Sequence, residues 1–227
     1  MDRLTKDACH VTLVDFLSFS LYNIDPFMTS KTLHFYGSHG TSKSRAALIL
    51  RQGFCASKGR HGTGIYFWSR DEHDHQKLGT KKALAWADMC RAEGRYERDV
   101  DDSSRCISSK IIVDENFFLD IRSESSTRMF EAFVHRCAEV LKGLKVKGKA
   151  GLGAAVVDAF VADLEKIRSA KFHALHDQTE LPPTYKEALR QRLGYNDAQM
   201  RMLRLYEAGC YVVRNVDCLC GQQEDTV

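Results

Sequence analysis

The chain has 227 residues, 44% of them hydrophobic and 28% charged, with a formal net charge of +3. That balance belongs to an ordinary globular protein and excludes a low-complexity or intrinsically disordered one. The length predicts one domain whose core needs no disulfide or metal staple, and the small charge neither makes nor excludes a nucleic-acid binder.

Residues 1–30 read as an N-terminal cap. The run VTLVDFLSFSLYNI is broken by Asp15 and preceded by mixed charge, unlike a secretory signal. No run reaches the roughly 18 apolar residues needed to cross a bilayer. LHFYG (33–37) reads as a short strand. A helix is expected from Ser42 on the apolar positions Ala46, Leu48, Ile49 and Leu50, with Gly53 as its stop. GIYFW (64–68) is a strand behind a glycine turn, and 69–82 a polar loop. The pattern predicts a helix over 83–94, a charged loop, strands over 106–113 and 117–121, and a helix over 126–144. KVKGKAGLG (145–153) reads as a break. A helix over 154–172 follows, then a loop from His176, a proline-started short helix and a helix over 196–209 capped by Asn196. CYVVRNV (210–216) is a closing strand and GQQEDTV a loose tail. Strands and helices mix without regular βα alternation, so the class is α+β, with a helical insertion over 145–205 before the last strand.

The 8 cysteines are scattered and mostly sit in apolar runs, as small buried hydrophobes do in a reducing, cytoplasmic setting. No metal site is expected. Asp71-Glu72-His73-Asp74-His75 has metal-capable side chains but reads as a solvated loop. Lysines 142, 145, 147 and 149 form a basic patch, read as a solvated linker or as a guide for phosphate.

The chemistry concentrates around HGTSKSRAALILRQGF (39–54) and GTGIYFW (62–68). His39 offers a directional hydrogen bond at a strand end. Gly40 lets backbone approach a ligand, and Tyr66 and Trp86 offer flat faces for stacking a heteroaromatic ring. Taken singly, His39 could cap the helix, and both aromatics could be core residues.

The His-Gly-Thr triplet, a glycine fourteen residues after the histidine, and Gly-Thr-Gly-Ile-Tyr-Phe together resemble the poly(ADP-ribose)-polymerase-like branch of the ADP-ribosyltransferase superfamily. Lys82-Ala83-Leu84-Ala85-Trp86 looks like the segment that in this family carries a carboxamide-binding serine and a stacking tyrosine. Here Ala83 replaces the serine and Trp86 the tyrosine. The resemblance implies a split antiparallel β-sandwich with flanking helices, and NAD as co-substrate. His39, Gly40, Thr41, Gly64, Tyr66 and Trp86 would hold NAD, with His39 on a ribose and Gly40 backbone on the nicotinamide amide. The implied reaction is mono-ADP-ribosyl transfer to a protein or nucleic-acid acceptor, as an effector or toxin. It passes through an oxocarbenium-like transition state that a carboxylate stabilises.

The family glutamate has no counterpart, because Cys210 stands at its position. Glu207, at the end of the preceding helix, is the substitute expected beside His39 and Tyr66. His61 and Arg60, next to the glycine turn, could contact pyrophosphate or the acceptor. NAD hydrolysis is a second enzymatic reading. RNA 2′-phosphotransfer is a third, for which Arg45, Arg51, Arg60 and Arg70 are the available arginines. A catalytically silent NAD-binding module is the non-enzymatic one.

Overall fold

The structure is a computed structural model and describes residues 30–142 and 148–225, with only the backbone of 141, 142 and 148–150. The N-terminal cap expected over 1–30, apart from Ser30, and the lysine patch lie outside the described residues and side chains.

The class is α+β, with a mixed sheet and flanking helices. The strands are β1 (Thr32–Ser42), β2 (Ser57–Gly59), β3 (Gly62–Arg70), β4 (Ser104–Asp114), β5 (Phe118–Asp120), β6 (Ala174–Glu180), β7 (Glu207–Val213) and β8 (Leu219–Asp225). The helices are α1 (Lys43–Gln52), α2 (Leu78–Ala92), α3 (Glu124–Arg136), α4 (Ala138–Lys142), α5 (Gly148–Arg168), α6 (Pro183–Leu193) and α7 (Asp197–Met202). The sheet runs β5-β6-β7-β3-β1-β4-β8, with β2 folded onto β3. Its pairs are antiparallel except β5–β6, so the sheet is mixed where an antiparallel one was expected.

Local chemistry explains the elements nearest the site. Ser42 accepts a hydrogen bond from the Arg45 N–H and starts α1, and Gly53, at φ +83°, ends it by donating to the Ile49 carbonyl. β1 does not stop at Gly37; it continues through His39-Gly40-Thr41 to the cap. Period-two alternation along β3 divides the core. Ile65 and Phe67 pack with Phe54, Ile107 and Ile111. Tyr66 faces the other side, against Val212 and the α5 residues Val157, Phe160 and Val161.

Further expectations are corrected. The helix placed over 83–94 begins at Leu78. The break placed over 145–153 is helical from Gly148. The insertion over 145–205 is not purely helical, because its HDQTE segment forms β6 and pairs with β7 along seven residues. The loose tail forms β8 up to Asp225, whose carboxylate is 3.0 Å from the Arg70 guanidinium. No helix among the described residues is long and apolar enough to cross a membrane.

Candidate functional site

β1 and β3 pair only from Tyr36 opposite Arg70 to Ser38 opposite Trp68. Beyond that point β1 follows β4, β3 follows β7, and the two strands part. Parting strands leave backbone groups that need partners. His39 supplies one, its Nδ1 lying 2.8 Å from the Tyr66 carbonyl oxygen. A carbonyl only accepts, so Nδ1 donates, and the neutral ring presents Nε2 as an acceptor. Burial pushes the His39 pKa down, against the smaller opposite pull of that carbonyl. The ring is held edge-on to Phe54, at 5.2 Å between centroids.

A cavity of about 750 Å³ opens where the strands part, and His39, Gly40, Thr41, Tyr66, Trp86 and Cys210 are in its wall. α2 lies hard against β1. A Cβ on Gly40 would sit 1.8 Å from the Ala83 carbonyl oxygen, so only glycine allows this approach. Asp74 fixes the start of α2 by accepting from the Gly79 and Thr80 N–H groups at 3.1 and 3.0 Å. It is buried, which removes it from the surface loop expected for 69–82. Trp86, on this helix, meets Trp68 edge-on and carries the Arg95 guanidinium 5.7 Å from its ring centre.

The Tyr66 hydroxyl donates to the Gly62 carbonyl and accepts from the His61 N–H at 3.2 Å. Burial raises its pKa, so the phenol stays protonated. Its ring packs against Gly59, where a Cβ would lie 2.5 Å from the ring. Thr41 is buried. Gly64 does not line the cavity. A Cβ there would meet Val212 at 2.6 Å and the Val213 carbonyl at 2.9 Å, so this glycine serves the packing of β3 on β7.

Cys210 is buried between Trp68 of β3 and Asp177 of β6, its neighbours across the sheet. Burial, reinforced by the Asp177 charge, pushes its thiol up to about 12. It is therefore neutral near pH 7 and cannot act as a carboxylate. Glu207 does not end a helix: α7 stops at Met202, Arg204 takes a left-handed φ of 54°, and Glu207 opens β7 opposite Glu180. It is exposed and lines an adjoining cleft of about 620 Å³ with Arg60, His61, Lys186 and Arg201. The structure does not bring it into the cavity with His39 and Tyr66.

A further carboxylate, Asp177 of β6, lies against His61. It sits in the segment read as a loop, and its Oδ2 lies 2.7 Å from His61 Nδ1. Burial along ALHDQTE does not alternate but falls from Ala174 and Leu175 to Glu180, and the polar half of the segment conceals the strand. Comparison with known proteins finds no match: no family model, no curated protein and no solved structure is significantly similar to the chain.

Proposed function

We propose that this chain is an NAD-dependent mono-ADP-ribosyltransferase with the split-sandwich fold of that superfamily. It would cleave NAD to nicotinamide and transfer ADP-ribose to a protein or nucleic-acid acceptor. One observation carries the reading. His39, Gly40, Thr41, Tyr66 and Trp86, which the sequence resemblance assigns to NAD, line one cavity although they come from three separate elements. Its volume of about 750 Å³ lies within the roughly 300–1,000 Å³ of small-molecule sites.

The chemistry is consistent with that substrate. Neutral His39 can accept a ribose hydroxyl at Nε2. Tyr66 and Trp86 present aromatic faces to a pyridine ring, and α2 pressed on β1 closes one wall against water. Chain extension does not belong to the reading, since a neutral Cys210 replaces the glutamate it would need. That same thiol favours a second reading, an NAD-binding module without turnover.

Nicotinamide release from NAD by the purified chain separates the two, alongside NAD titration monitored by tryptophan fluorescence. The transferase reading expects release, its loss in His39→Ala, and NAD affinity weakened at least about tenfold in Tyr66→Ala, the loss of roughly 1.4 kcal/mol of ring stacking. Binding without release under any condition would leave the module. Unchanged affinity in Tyr66→Ala would remove NAD from this cavity altogether.

A further inference from the structure

His61 is built into the site more firmly than a loop residue needs to be. Arg60 and His61 form the two-residue turn between β2 and β3, where Gly59 pairs with Gly62. α5 clamps that hairpin. Asp158 accepts from the Thr63 N–H at 2.8 Å and from its hydroxyl at 2.6 Å. Gly153 lies so close that a Cβ on it would be 2.5 Å from the Arg60 carbonyl oxygen. His61 ends up 8% exposed, which is unusual for a polar residue at a hairpin turn.

Its two ring nitrogens differ. Nδ1 is 2.7 Å from Asp177 Oδ2, and an ionised carboxylate only accepts, so Nδ1 carries a proton. Asp177 is held in turn, its Oδ1 accepting from the Gln178 N–H at 2.7 Å. Nε2 is buried and has no hydrogen-bond partner among the described residues. In the neutral ring it is a lone pair deprived of both water and a donor. Buried polar groups are nearly always satisfied, and an exception asks for a ligand or a reaction. His61 lines both the cavity below His39 and the adjoining cleft, so it stands at their junction. Its carboxylate partner is the β6 neighbour of Cys210, where the resemblance expected a glutamate.

Building on the transferase reading above, we propose that His61, oriented by Asp177, is the base that takes the proton of the attacking nucleophile, in place of the carboxylate absent at Cys210. The bond from ribose C1′ to the nicotinamide nitrogen breaks, and its electron pair leaves with neutral nicotinamide. An oxygen or nitrogen of the nucleophile donates a lone pair to C1′ and forms the new bond. Its proton passes to His61 Nε2. The resulting imidazolium faces the Asp177 carboxylate and gives up the proton once the products leave and water enters the cavity. The acceptor then approaches through the cleft between Arg60, Lys186 and Glu207, which His61 lines and His39 does not.

The test uses the full chain and NAD, with water as the nucleophile. His61→Asn keeps a side-chain N–H at the Nδ1 position for Asp177 but removes Nε2. Its kcat for nicotinamide release should fall about 10²–10⁴-fold, the usual worth of a positioned base, with NAD affinity and melting temperature unchanged. Asp177→Asn should lower kcat in the same direction without moving KM. Added imidazole should restore part of the rate to His61→Gly and none to His39→Ala. Full kcat in His61→Asn would overturn the proposal, as would a parallel loss of NAD affinity or failure of imidazole rescue in a folded His61→Gly. Any of these three results would leave the transferase reading standing. A wild-type chain that binds NAD without releasing nicotinamide would overturn both.

Discussion

Replacing Gly40 by alanine tests the contact on which the cavity depends. The new Cβ would fall 1.8 Å from the Ala83 carbonyl oxygen and 2.6 Å from its carbon. An ordinary carbon–oxygen contact is about 3.3–3.6 Å, so β1 and α2 must separate by roughly 1.5 Å. Both atoms met are backbone, and no rotamer change can absorb the clash. α2 cannot slide freely either, because Asp74 holds its first turn and Ala83 and Ala87 are fully buried. The cost therefore belongs at or above the upper end for overpacking, about 3 kcal/mol. For a chain of this size that is roughly 6–12 °C in melting temperature. Whatever fraction folds will carry Trp86, one turn beyond Ala83, outward with the helix, and on the transferase reading nicotinamide release should fall about 10²-fold. Thermal melting and the release assay read the two effects. A Gly40→Ala chain melting within about 1 °C of wild type would refute the argument. So would recovery in a Gly40→Ala, Ala83→Gly double variant, because the contact is with a carbonyl that both residues possess.

Acidification should weaken the fold in two stages. Burial pushes the pKa values of His39 and His176 down, so the unfolded chain takes up protons that the native state resists, and stability falls below about pH 6.5. At Asp74 burial acts upward, but bonds from Thr80 and Gly79 outweigh it; at Glu165, Lys171, the Phe172 N–H and Arg214 do the same. Both carboxyls end below their ordinary range, so their contribution is complete above about pH 4.3 and disappears as pH falls through the lower native values. Urea midpoints measured across this range should decline in both windows; a midpoint that rises between neutral pH and about pH 5 would contradict the assignment. Thiol alkylation at mild alkaline pH should mark Cys55 and Cys220, which are exposed, and spare Cys210 until the chain unfolds. Native-state labelling of Cys210 on peptide mapping would mean a thiolate at that position and would reopen its role.

What could be read from the residue order follows one physical rule: signals closed within a few residues were legible. Ser42 and Gly53 mark the start and stop of α1 inside one window, and the helix lies where they put it; of the apolar face expected at Ala46, Leu48, Ile49 and Leu50, only Ala46 is buried, and Leu48 and Leu50 are exposed. GIYFW declares β3 by composition. Signals supplied from elsewhere were not legible. α2 starts five residues early because its cap is Asp74, reaching across a left-handed Lys77 rather than standing next to the first turn. α5 runs through two glycines that argue for a break; Gly153 is needed there because Arg60 lies against it, and packing overrides propensity. β8 is polar from Gln222 to Asp225, and that end is held by β4 and by Asp225, which Arg70, Thr80 and Ser108 bind from other elements.

The same rule divides the candidate site. Its aromatic and histidine half was visible because His39, Tyr66 and Trp86 lie on elements with strong local patterns. The carboxylate was sought near Cys210 along the chain, which led to Glu207. In a sheet, however, the residue beside Cys210 is its partner across the ladder, and register makes that Asp177. A strand brings i and i±2 to one face about 7 Å apart, whereas a cross-strand partner stands at about 5 Å. A lost side chain is therefore replaced more readily from the neighbouring strand than from three residues away on its own. On the transferase reading, the hydrogen bond from His61 to Asp177 and the nitrogen beyond it, unpartnered among the described residues, would be the form such a replacement takes.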